Sequence, residues 1–219
     1  MGKRIAGINL AKNGSLVILH DGEIEFYLEE ERVTRIKRDV SAKALADKYI
    51  DSSIDALTIC DCFTRYTRQT FLDRTKAKNE LCKIARSRGC LSIVDYRSRH
   101  HECHAANAFY NSGFDDAVCV VMDGKGSFHT DNSISMSSGY GDAGVCLKYA
   151  EIESIYDYSG EFIPLFKHYS TFWSEHESEL LDEPYWHKGN LYSDRTSVGQ
   201  AFRRVSRYCN FDEIEAGKT

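Results

Sequence analysis

Apolar residues run through Arg4–Leu10, recur over Leu16–His20, and return in alternation at Ile24, Phe26 and Leu28. Asn13-Gly14 separates the first two runs and Asp21-Gly22 the second pair; both dipeptides accept the positive φ of a tight hairpin. The pattern predicts a three-strand meander with Ile24, Phe26 and Leu28 on one face. A helix is predicted near Ala42–Tyr49, then a buried strand over Ile54–Cys60, a basic helix over Phe71–Arg88 and a short strand over Leu91–Asp95. His100–Phe109 reads as an Ala-rich helix and Asp116–Met122 as a very apolar strand, followed by a Ser- and Gly-rich hairpin region and a strand over Leu147–Ile155. The order β-β-β-α-β-α-β-α-β predicts an α/β domain with a mixed sheet. Periodicity fades over 156–194, which holds Tyr156, Tyr158, Tyr169, Tyr185, Tyr192, both tryptophans and His168, His176 and His187. That stretch reads as an inserted excursion, either a binding surface or a packing insertion. Val198, Phe202, Val205 and Tyr208 then resume helical spacing.

Composition narrows the class. A chain of 219 residues is one large domain or two small ones, and 42% hydrophobic with 28% charged residues allows a packed core. The net charge of −5 has no accompanying basic stripe, which argues against a dedicated nucleic-acid binder. The 8 cysteines lack C-x-x-C spacing and several sit in apolar runs, so they read as reduced, buried thiols. No apolar run approaches the roughly 20 residues of a membrane span, and MGKRIAGINL lacks a signal-peptide pattern. A cytoplasmic chain is the expectation.

The candidate chemistry begins at His100 and His104. Four residues apart on a helix, their imidazoles share one face and can chelate a divalent metal. His101 lies on another face and reads as a packing or supporting residue. Asp123 closes an apolar strand and opens Asp123-Gly124-Lys125-Gly126, and two histidines with one carboxylate make a divalent-metal set with open positions. The glycines of that loop, and the Ala11–Ser15 turn with Lys12, offer weak phosphate-binding signals. Glu29–Arg38 reads on spacing alone as a solvated charged turn, with Glu31 and Arg35 paired at i,i+4. Gly217-Lys218-Thr219 is not a P-loop, because Asp212 stands where that motif needs glycine. Cys103 beside His104 reads as a buried thiol.

Taken together and in order, these pieces resemble the O-carbamoyltransferases of nodulation-factor and antibiotic biosynthesis. The resemblance rests on Ile5–Leu10 with its turn, Asp21-Gly22, the run Glu29–Lys37 (E-E-E-R-x-x-R-x-K), and His100–Ala106 (H-H-x-x-H-A-A) with Phe109. It continues through Ser112–Asp115, Asp123–Gly126, Ser197–Gly199 and Glu215–Thr219. It implies an actin-like, ribonuclease-H-type mixed sheet with flanking helices, related to the tRNA threonylcarbamoyl transferases. The expected organisation is a lobe over 1–115 and an incomplete second lobe over 116–219, with an aromatic-rich insertion at 156–194.

The resemblance also implies a site. His100, His104 and Asp123 would bind iron(II) or manganese(II). Gly124, Gly126, Ser127 and Lys218 would hold ATP or carbamoyl-adenylate. Lys12, Asn13, Glu31, Arg32, Arg35 and Lys37 would serve catalysis. Lys12-Asn13 replaces the family's His-Asp, and Ser127 replaces its glutamate. The implied reaction passes a carbamoyl group, made from carbamoyl phosphate and ATP, to the hydroxyl of a small-molecule acceptor. The partner implied is a C-terminal half or a separate carbamoyl-adenylate-forming domain. Two other readings stay open: a non-catalytic metal- or nucleotide-binding subunit of a split enzyme, and a tRNA-modification relative.

Overall fold

The computed structural model describes residues 2–11, 13–61, 68–90, 92–129, 149–170, 184–193 and 197–209. The chain divides into two compact units, Met1–His100 and His101–Thr219. Each carries a mixed sheet, so the α/β expectation holds, with two sheets in place of one.

The first unit opens with the expected meander, β1 (Arg4–Asn9), β2 (Ser15–His20) and β3 (Glu23–Glu29). A short helix α1 (Glu30–Thr34) and a second, α2 (Lys43–Tyr49), lead to β4 (Ala56–Cys60); α3 (Arg68–Ser87) leads to β5 (Ser92–Asp95). The sheet order is β3-β2-β1-β4-β5, antiparallel across the meander and parallel from β1 through β4 to β5. Inward residues Ala6, Ile8, Leu16, Ile18, Leu57 and Ile59 meet Leu45 and Ala46 of α2 and Leu81 and Ala85 of α3 in one buried cluster. This is the period-2 strand face packed on the 3.6-period helix stripe.

Two local expectations change. Ile24 does not share a face with Phe26, being 72% exposed. A bulge shifts the β2–β3 register, so that Phe26 pairs with inward Ile18 while Ile24 pairs with Leu19. The charged run is not merely a solvated turn either. Glu30 within it is fully buried, and its carboxylate accepts hydrogen bonds from the Ala44 amide (2.7 Å), the Leu45 amide (2.9 Å) and the Ser41 hydroxyl (3.1 Å). An anion thereby caps the N-terminus of α2, a role Ala42 at the N-cap has no side chain to fill.

The second unit is built on α4 (His100–Ser112), which begins at the junction residue, and β6 (Ala117–Met122). Next come β7 (Phe128–His129), β8 (Tyr149–Tyr158), β9 (Phe162–Ser170), β10 (Tyr185–His187), β11 (Asn190–Ser193) and helix α5 (Val198–Tyr208). The sheet order is β10-β11-β9-β8-β6, with β7 also paired to β8. The expected hairpin region falls largely on 130–148, outside the described residues.

The 156–194 excursion is corrected over its described part. Tyr156–Tyr158 completes β8, and β9, β10 and β11 are strands of the same sheet. Ser159-Gly160, with Gly160 at φ 97°, makes the β8–β9 turn. The strands are rich in aromatic and β-branched residues, and a register shift at Ile155/Tyr156 breaks the simple alternation that would have announced them. No helix among the described residues is long and apolar enough to cross a membrane.

The six described cysteines form no disulfide with one another. Cys90 and Cys119 are buried as expected, but Cys103 is only half-buried and Cys209 is exposed.

Candidate metal centre

Helix α4 buries the stripe His101, Ala105 and Phe109, and the last two pack with Cys119, Val121 and Tyr156. The i,i+4 spacing sets His100 and His104 on the neighbouring stripe of the same helix. Asp123 follows directly from β6, its amide bonded to the Ile152 carbonyl of β8 (3.0 Å). One donor atom from each of His100, His104 and Asp123 lies within 4.8 Å of the others. His104 is exposed, while His100 and Asp123 are half-buried. The Gly124 amide donates to Asp123 Oδ1 at 2.6 Å, and Oδ2 lies 4.0 Å from His104 Nε2. The same oxygen is 3.9 Å from His101 Nε2.

Behind these donors is a buried polar chain. Lys167 Nζ donates to Glu151 Oε1 (2.7 Å), as does the Ser154 hydroxyl (2.8 Å), and Ser154 Oγ lies 2.9 Å from His101 Nδ1. Burial and the Glu151 charge push the Tyr156 phenol beside this chain well above its usual range. Gly126 packs on the His101 ring so tightly that a β-carbon there would fall 2.6 Å from Nε2. Its amide donates to the Glu151 carbonyl (2.7 Å), and the Ser127 carbonyl accepts from the Glu151 amide (2.8 Å). The loop after Asp123 is therefore strapped to β8.

Gly124 meets a different neighbour. Its carbonyl accepts from the Ser197 hydroxyl (3.1 Å) and from the Gln200 side-chain amide (3.3 Å). Ser197 caps α5, taking the Gln200 amide at 3.1 Å in a Ser-x-x-Gln arrangement. The start of α5 is thus fixed beside the Asp123-Gly124 turn.

The remaining predicted residues are placed as follows. Lys12 and Lys218 lie outside the described residues. Asn13 is exposed in the β1–β2 turn at φ 60°. Glu31, Arg32, Arg35 and Lys37 belong to the first unit around α1. Glu31 takes the Arg38 amide (3.2 Å) and lies 3.7 Å from Arg32, while Arg35 ends the helix in a left-handed conformation. The expected Glu31–Arg35 side-chain pair is replaced by a bond from the Arg35 amide to the Glu31 carbonyl. Sequence reasoning passed over Glu151 and Ser154 in β8 and Lys167 in β9, which carry no motif. Their relation is legible only once the two strands are paired, which sets Ser154 opposite Lys167.

No family model matches the chain. A search of curated proteins finds the nodulation protein NolNO of Sinorhizobium fredii (strain NBRC 101917 / NGR234), 28% identical over 136 residues, covering 53% of this chain and 20% of that protein. The chain is related to the O-carbamoyltransferase family, in its N-terminal part. The matched region spans about a fifth of the relative's length.

Proposed function

We propose that this chain is the N-terminal portion of an O-carbamoyltransferase, with His100, His104 and Asp123 as its divalent-metal ligands. The similarity to NolNO supports the transferase class. The convergence of two imidazoles and one carboxylate within 4.8 Å carries the metal assignment. Such a donor set suits iron(II) or manganese(II) and leaves coordination positions open. The first sheet, a three-strand meander extended by two parallel strands in the order β3-β2-β1-β4-β5, supports the ribonuclease-H-type, actin-like reading.

A bound cation would supply Lewis acidity to polarise the acyl phosphate of carbamoyl-adenylate. The chain's own residues prepare the place. The Gly124 amide holds Asp123 Oδ1 and leaves Oδ2 on the imidazole side. Gly124 and the α5 cap fix the loop, and Gly126 lets it close over His101. The hydroxyl acceptor, the nucleotide, and the assistance of Lys12, Asn13, Glu31, Arg32, Arg35, Lys37, Ser127 and Lys218 belong to the same proposal.

Titration of the purified chain with manganese(II) or iron(II) under anaerobic conditions tests it. Saturable binding that His104→Ala abolishes supports the reading. Equally poor binding by the two proteins overturns the metal assignment.

A second reading is motivated by Lys12, Asn13 and Ser127, which stand where the resembled family carries His-Asp and glutamate. The chain would be a binding subunit that docks a separately encoded half. Carbamoyl transfer on co-expression with such a half, lost in His104→Ala, would exclude a non-catalytic role.

A further inference from the structure

The two sheets share a plan. In the first unit the meander lies in the order β3-β2-β1, antiparallel throughout, and the outer edge of β1 takes the parallel strand β4. In the second unit β9-β8-β6 repeats that antiparallel meander, with β6 in the place of β1. Helix α5 follows it, after β10 and β11, as α2 follows the first meander. Among the described residues, no strand lies beyond β6.

Peptide direction extends the match to the faces. In a strand of L-residues, the face a side chain takes fixes the side on which that residue's N–H and C=O lie. The Arg4 carbonyl accepts from the Asp55 amide (2.9 Å) and the Leu10 amide donates to the Cys60 carbonyl (2.9 Å). Alternation therefore turns the peptide groups of Ala6 and Ile8 toward β4. Their side chains take the face on which α2 and α3 pack. At the end of β6, the Asp123 amide donates to the Ile152 carbonyl of β8 (3.0 Å). Alternation here turns Cys119 and Val121 toward β8, and Val118, Val120 and Met122 toward the outer edge. The face carrying Val118, Val120 and Met122 is thus the counterpart of the face that α2 and α3 cover in the first unit. In the second unit that face is bare, with all three side chains more than half exposed. Val198, Phe202 and Val205 of α5 form an exposed apolar stripe in the same unit. β6 itself, AVCVVM, is apolar at every position, the composition of a strand covered on both faces.

We infer that β6 is a docking edge for the second half of the proposed transferase. The incoming element is a strand that pairs parallel to β6, as β4 pairs with β1, with an apolar helix laid over Val118, Val120 and Met122. One occupant of that kind covers the edge, the bare face and the α5 stripe together. The match covers 20% of NolNO, so most of that protein lies outside it and is long enough to supply both parts. The identity of the occupant rests on the proposed function; the edge and its bare face do not.

The test co-expresses the full chain with the remainder of NolNO outside its matched region. The two should co-purify. Hydrogen exchange, read residue by residue, should slow about tenfold or more at the Val118, Val120 and Met122 amides of the complex relative to the chain alone. The Cys119 and Val121 amides, already in the ladder with β8, should change little. Val120→Lys should abolish co-purification, while Tyr27→Lys, at an exposed position on the edge strand β3, should not. Failure to co-purify overturns the inference, as does a complex whose three edge amides exchange as before or one that tolerates Val120→Lys. Self-association of the chain in dilute solution that protects the same three amides assigns the edge to a second copy and overturns the stated occupant. A complex that forms as expected but transfers no carbamoyl group overturns the transferase reading and upholds the docking edge.

Discussion

Gly199, in the first turn of α5, lies against Gly124 so closely that a β-carbon on Gly199 would fall 2.5 Å from the Gly124 nitrogen. Backbone meets backbone here, and neither side can rotate away. Gly199→Ala should push α5 off the Asp123-Gly124 turn and destabilise the protein by about 1–3 kcal/mol. Urea unfolding measures the loss. Metal titration of the same variant should show weakened binding if the α5 cap holds the turn that orients Asp123.

The buried Glu30 carboxylate makes a second prediction. Glu30→Ala removes the acceptor of the Ala44 and Leu45 amides at the start of α2. Losing a helix cap and stranding two amides should cost about 2–3 kcal/mol. Glu31→Ala, one residue along and touching mainly the Arg38 amide, should cost well under half of that by the same unfolding assay.

Asp95 supplies a pH dependence. Burial raises its carboxyl, but the Arg97 guanidinium, bound at 2.8 Å by both nitrogens, overrides this and holds it at about 2, against an ordinary value of 3.8. A depressed carboxyl stabilises the folded state above the unfolded value, and that contribution disappears as pH falls through the folded one. The wild type should therefore exceed Asp95→Asn in stability near neutrality, and the difference should shrink between pH 3.8 and about 2. Thermal unfolding of both proteins across that range is the check.

Asp61 and Arg74 form a buried ion pair, 2.7 Å apart with the Asp61 side chain wholly enclosed. Arg74→Met leaves a buried carboxylate without its guanidinium and should cost about 3–5 kcal/mol. Adding Asp61→Asn should recover part of that loss, which a double-mutant cycle in urea would quantify.

These residues differ in how far sequence alone exposes them. The meander was legible because Asn13-Gly14 and Asp21-Gly22 force local turns, and the His100, His104 and Asp123 grouping was legible because helix spacing and a strand end are local facts. Glu30 was not, since within a row of charged residues nothing separates the one that turns inward. Ile24 was misjudged because a bulge shifts alternation without leaving a mark in composition. His101 was seen as a supporting residue, but its grip depends on Ser154, whose partner Glu151 is reached only through the strand fold. The strands β9 to β11 were hidden by aromatic residues that look alike on both faces of a sheet.

The second sheet leaves one face of β6 in water. Val118, Val120 and Met122 are each more than half exposed, and Trp186 lies open on the same sheet. Among the described residues β6 is also an edge strand, so peptide groups outside the sheet ladder and oily side chains coincide on one six-residue segment. Its colloidal behaviour follows. Light scattering should show the chain clustering as concentration and salt rise, and Val120→Lys should suppress that clustering while leaving the unfolding midpoint nearly unmoved. A preparation for metal titration is thus best kept dilute, at low salt, with lysine at position 120 as the handling variant.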